Sequence, residues 1–170
     1  SFRLSSLVSL SLVVVNTISA PNISELFWKG NLQELQLVIS KSTRLMAAIA
    51  FIFLAIVLIG GRQIISYFGT DFIKGYPVLL ILSFAQFANV TTGSVSILFN
   101  MTGKQRLLRK VNIYTLFLGL SMFSILTYFS LMSLITVAIA VFLQIVFLNV
   151  TLSFMARRVL DINTFLRIRN

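Results

Sequence analysis

A chain of 170 residues that is 58% hydrophobic and 11% charged, with a mean hydropathy of +0.98, cannot clothe a water-facing surface, since soluble domains carry about 25% charged residues. The formal net charge of +10 is split among separate loops instead of forming one stripe, which excludes nucleic acid as a partner and fits the retention of Lys and Arg on the cytoplasmic side of a membrane. Without cysteine or histidine the chain has no disulfides, no thiolate or imidazole metal site and no Cys- or His-based catalysis.

In chain order, five apolar runs approach the roughly 20 helical residues needed to cross a hydrocarbon core. They lie at about 4–20, 45–60, 76–99, 111–129 and 131–156. Backbone groups in lipid must bond within their own segment, so the runs are predicted to be helices. The expected fold is an all-α polytopic membrane bundle of about five transmembrane helices over residues 1–156, followed by a basic cytoplasmic tail over 157–170.

Pro21 is expected to end the first helix, because it lacks a donor and restricts the residue before it. Asn31 with Glu34 resembles a capping box. Leu32, Leu35, Val38 and Ile39 then recur at helical spacing, and Lys41 and Arg44 suit headgroup level. Residues 31–43 are therefore predicted to form an interfacial helix leading into the second span, with a free cytoplasmic extension as the alternative. Tyr67, Phe68 and Tyr76 fit an outer aromatic belt.

The third span carries the strongest pattern. Gln86, Asn89, Gly93, Ser96 and Asn100 recur at intervals of three and four and so share one face of a continuous helix. Such a face is either glue between helices, with Gly93 allowing close approach, or the wall of a polar cavity for a hydrophilic solute. In the last span Gln144 and Asn149 are five apart and do not share a narrow stripe. All four acids, Glu25, Glu34, Asp71 and Asp161, fall in loops, so an intramembrane carboxylate relay is not expected. Neither a metal, a cofactor nor an enzymatic reaction is expected.

Charge gives an orientation. The 21–44 loop holds Lys29, Lys41 and Arg44; the 100–110 loop holds Lys104, Arg106, Arg109 and Lys110; the tail holds Arg157, Arg158, Arg167 and Arg169. These three regions are predicted to be cytoplasmic, with the C-terminus inside. Lys104, Arg106, Arg109 and Lys110 are expected to fix topology and bind anionic membrane lipids. Ser1 would then lie outside, an expectation that an odd number of upstream spans precedes it.

Several phrases, in order along nearly the whole chain, resemble a known group. They are Ala20-Pro21-Asn22-Ile23-Ser24-Glu25-Leu26, Lys29-Gly30-Asn31 with Glu34-Leu35, Lys41-Ser42-Thr43-Arg44, Tyr67-Phe68-Gly69 with Phe72 and Gly75, and Leu79-Leu80-Ile81-Leu82 with Gln86 and Asn89. Gly93 followed by Asn100-Met101-Thr102-Gly103-Lys104 is the sharpest, and Ala156-Arg157-Arg158-Val159-Leu160-Asp161-Ile162 closes the series. Together they resemble the C-terminal half of polysaccharide or O-antigen flippases in the multidrug, oligosaccharidyl-lipid and polysaccharide exporter superfamily. The chain departs from the family pattern at Ser94, where a proline is common, and in Met46–Leu58, which has no proline.

The resemblance implies a MATE-like transporter of two six-helix lobes, with these five spans as most of the second lobe and the first lobe supplied by a missing N-terminal part. It implies a cytoplasmic (inner) membrane location and the flipping of lipid-linked oligosaccharide or polysaccharide repeat units by alternating access, with Gln86–Asn100 lining or bracing the cavity. A multidrug or cation antiporter, a membrane glycosyltransferase and a non-catalytic remnant are the other readings. The glycosyltransferase would need carboxylates in sizeable loops.

Overall fold

A computed structural model describes residues 17–67, 70–92, 95–162 and 164, with the backbone alone at 70–72. Of the first expected span, only 17–20 lie among these residues. Gly93 and most of the tail beyond Ile162 lie outside them.

The described chain is almost entirely helical and contains no strand. Helix α1 covers 17–28. It is followed by α2 (Leu32–Ser66), a 3-10 turn (Thr70–Gly75), α3 (Tyr76–Thr91), α4 (Val95–Met101), α5 (Gln105–Tyr128) and α6 (Leu134–Leu160). Four segments, Leu32–Ser66, Ile73–Thr91, Gln105–Tyr128 and Leu134–Leu160, are long and apolar enough to cross a membrane. The chain is thus a multi-span membrane protein in the sense that length and composition define one.

Local chemistry fixes the helix ends. Pro21 does not end α1, which continues to residue 28. A proline forfeits one hydrogen bond to the carbonyl four residues back, but later turns still form. The stop is Gly30, at φ +73°, where Gly30 N donates to Phe27 O and Asn31 N to Leu26 O, each at 3.0 Å. That is the paired closure of a helix ending on a left-handed residue.

Asn31 then caps α2, its side chain accepting from Glu34 N at 3.2 Å. The expected capping box differs in one bond. Glu34 accepts from the Asn31 side-chain amide at 2.8 Å, because the Asn31 backbone N–H is already committed to α1. The same closure ends α5, where Ser130 N donates to Thr127 O and Leu131 N to Leu126 O, with Ser130 at φ 53°. Ser133 and Thr136 form a complete capping box for α6.

The expected interfacial helix over 31–43 and span over 45–60 are one unbroken helix of 35 residues. The N-terminal part of α2 packs into a protein core: Leu35 and Ile39 belong to the largest buried cluster, together with Leu98, Leu152 and Ala156, and Ser19 and Ser42 hydroxyls meet at 2.9 Å between α1 and α2. At 1.5 Å per residue α2 is about 52 Å long, against a hydrocarbon core of about 30 Å. Its uncharged stretch between Arg44 and Arg62 measures about 26 Å by the same rise. The surplus therefore lies at the Leu32 end, inside the packed base.

The helices pack as one layer in the order α2, α3, α6, α5. Val90 meets Met46 and Ala50 while Leu79 meets Val57 and Ile65, so α2 and α3 run antiparallel. Helices α5 and α6 likewise form an antiparallel pair. At one end α1, the start of α2, α4, the start of α5 and the end of α6 converge on Leu98 and Phe99, both fully buried. The basic segments around Lys41, Lys104–Lys110 and Arg157–Arg158 belong to this same end. Away from it, large side chains such as Phe117, Phe123, Ile139 and Phe147 face outward. A water-soluble protein does not leave so continuous an apolar surface bare, whereas lipid covers it without cost.

Replacing Gly30 with Ala should destabilise the chain by about 1 kcal/mol, because a Cβ opposes the left-handed conformation although space around it is open. Ser130→Gly should act in the opposite sense by a smaller amount. Unfolding of both variants in detergent micelles checks the two signs.

Candidate functional site

The predicted polar face is divided by the backbone. Helix α3 ends at Thr91 and α4 begins at Val95, so a continuous helix over 76–99 is not present, and Gln86 and Asn89 lie on a different helix from Ser96 and Asn100. The break occurs without the proline common in the resembling family. Two hydroxyls close the end of α3: Thr91 Oγ1 donates to Ala88 O at 2.9 Å and Thr92 Oγ1 to Asn89 O at 2.8 Å. They occupy carbonyls that lose helical partners at a terminus.

Gln86 and Asn89 remain on α3 and are half-buried. Asn89 Nδ2 approaches Gln86 Oε1 at 3.5 Å, the long limit of such a contact. Across the α3–α6 boundary Asn149 Nδ2 donates to Asn89 Oδ1 at 2.9 Å, and also to Ile145 O at 2.9 Å. Asn149 is buried. Gln86, Asn89 and Asn149 therefore form a row of amides between two helices. Ser96 and Asn100 sit on α4 and are exposed, pointing away from Leu98 and Phe99. Gly93 lies between the two groups, outside the described residues.

Sequence reasoning left Gln144 and Asn149 without partners. The structure gives each a different neighbour. Gln144 Nε2 donates to Thr115 O on α5 at 3.1 Å, while Asn149 reaches α3. Five residues correspond to about 140° around a helix of 3.6 residues per turn, and α6 needs that separation because it has a neighbour on either side. Gly119 completes the α5 contact: a Cβ there would fall 2.6 Å from Gln144 Nε2. The pair Gly119 and Gln144, 25 positions apart, had no periodic signal that could have joined them.

The turn between α4 and α5 is built from the phrase Asn100-Met101-Thr102-Gly103-Lys104. Gly103 takes φ +72°, Thr102 N donates to Leu98 O at 3.0 Å and Lys104 N to Phe99 O at 2.9 Å. Thr102 Oγ1 adds a bond to Leu98 O at 2.7 Å. This closure sets Lys104, Arg106, Arg109 and Lys110 on the exposed start of α5. Among the described residues no three His, Cys, Asp or Glu side chains come together.

In comparisons with known proteins, no family model, no curated protein and no solved structure matches the chain.

The arrangement gives a test of the amide row. Asn89→Leu and Asn149→Leu should each destabilise the chain, because each removes the other amide's interhelical partner in a low-dielectric setting. The double substitution should recover part of the loss. A coupling of about 0.6–1.7 kcal/mol is expected from interhelical bonds of this kind, read from unfolding of the four-member cycle in mixed micelles.

Proposed function

We propose that the chain is part of a membrane transporter that flips lipid-linked oligosaccharide or polysaccharide repeat units across the cytoplasmic membrane by alternating access. The observation that carries this reading is the interrupted α3–α4 segment with amides on both sides of the break. Irregular backbone at membrane depth is tolerated where it is covered by protein or lines a water-filled cavity, and discontinuous helices recur at transporter binding sites. The apolar outward faces of α5 and α6 support a lipid-embedded lobe, and the resemblance to polysaccharide flippases supplies the substrate class.

In this reading Ser96 and Asn100 belong to the cavity wall. Gln86 and Asn89 brace that wall by tying α3 to α6. A second lobe is required, which the resemblance places upstream of Ser1. A multidrug antiporter would use the same scaffold, and titratable groups within the spans of the second lobe would favour it.

Two measurements test the reading. Because the chain contains no cysteine, single cysteines report topology without background. Lys104→Cys should react with an impermeant maleimide only from the cytoplasmic side and Leu131→Cys only from the outer side; the reverse pattern would invert the orientation. In vesicles holding the two-lobe protein, a fluorescent lipid-linked saccharide should cross faster than in protein-free vesicles, and Ser96→Leu with Asn100→Leu should slow it about tenfold, the equivalent of 1.4 kcal/mol. Crossing no faster than in empty vesicles would discard the transport reading.

A further inference from the structure

Helix α5 starts directly after the Gly103 turn, and one of its faces is graded. Gln105, Arg109 and Asn112 occupy the first two turns, and Ile113 and Leu116 follow at spacings of one and three. With Asn100 of α4 and the buried Leu108, they line a groove of about 370 Å³. Leu108 belongs to the main core cluster, so the floor of the groove is fixed to the packed base. Gln105 Nε2 donates to Asn100 O at 3.0 Å, which ties the two walls together.

The charge environment is one-sided. The sequence holds no Asp or Glu between Asp71 and Asp161, while Lys104, Arg106 and Lys110 flank the groove. A guanidinium offers forked donors that match a phosphate, and the Asn112 amide can add a donor beside it. Beyond Leu116 the exposed strip continues through Leu120 and Phe123, toward the middle of the helix. The groove is polar and cationic at headgroup level and apolar along the direction an acyl chain would take.

We propose that this groove is a binding site for an anionic glycerophospholipid of the leaflet at the basic end. Its phosphate meets Arg109 and Asn112, and one acyl chain follows Ile113 and Leu116. The lipid is held and not transported, and the inference depends on the chain spanning a membrane, not on the flippase reading. It differs from general attraction of basic loops to a charged surface, because the walls select one cation, Arg109, over its neighbour Lys110.

The test is native mass spectrometry of the full chain in detergent, titrated with phosphatidylglycerol, with phosphatidylcholine of the same chains, and with inorganic phosphate. Phosphatidylglycerol should bind in preference to phosphatidylcholine. Arg109→Gln should weaken its binding about fivefold, as expected for one cation at an anionic lipid surface, whereas Lys110→Gln should change it less than about twofold. Inorganic phosphate should not displace the lipid, since it cannot use the apolar half. Equal losses in the two variants would mean diffuse attraction and overturn the site. Equal binding of the two lipids, or displacement by phosphate, would overturn it as well.

Discussion

Twelve buried residues where α1, α2, α4, α5 and α6 converge hold the layer together. Within hydrocarbon, apolar side chains gain little by meeting each other, because lipid tails are as apolar as Leu. At and beyond headgroup level water competes, and burying apolar area is again favourable, at about 25 cal/mol per Å². The base is therefore where the hydrophobic effect can act on this chain. The surplus length of α2 serves that end by carrying Leu35 and Ile39 into the buried cluster that also holds Leu98 and Leu152. The rest of the layer has only van der Waals contact and a few polar bonds to hold it.

Those polar bonds divide by side-chain type. Most Ser and Thr hydroxyls turn back on their own helix: Thr43 donates to Ile39 O, Ser83 to Leu79 O, Thr115 to Val111 O and Ser124 to Leu120 O, whereas Ser19 and Ser42 meet between α1 and α2. A short Ser or Thr side chain can reach the carbonyl four residues back, so it satisfies itself in lipid and contributes little to assembly. Amides carry two donors and an acceptor that a single carbonyl cannot satisfy. Asn89, Asn149 and Gln144 accordingly cross to neighbouring helices, and α6 becomes the middle member that bonds to both sides.

Much of the fold was legible in the sequence because lipid imposes simple rules. Apolar length located four spans, alternation of Lys and Arg marked the basic end, and Asn31 with Glu34 marked the start of α2. The errors have physical causes. Periodicity from Gln86 to Asn100 runs through the break at Thr92, since helical spacing in a sequence does not require the helix to be continuous. Lys41 and Arg44 suggested a boundary inside α2, but long basic side chains extend toward polar surroundings while the backbone continues. Pro21 suggested a stop that Gly30 supplies nine residues later. Of the candidate site, the amides on α3 were visible by type, but their partner Asn149 was not, because nothing local in a sequence links residues 60 apart.

That separation bears on how the layer is made. Helices α2 and α3 are neighbours in sequence joined through a short turn, as are α5 and α6, so each pair closes a small loop at low entropic cost. The α3–α6 boundary joins positions far apart in the chain and has the larger loop to close. Two preformed hairpins docking along that boundary is the sequence of events with the least entropy lost before contacts form. The Asn89–Asn149 bond then acts as a register pin. Sliding α6 by one residue along α3 would swing its amide away from Asn89 by about 100° and break the interhelical bond, so two otherwise greasy and permissive hairpins are held to one alignment.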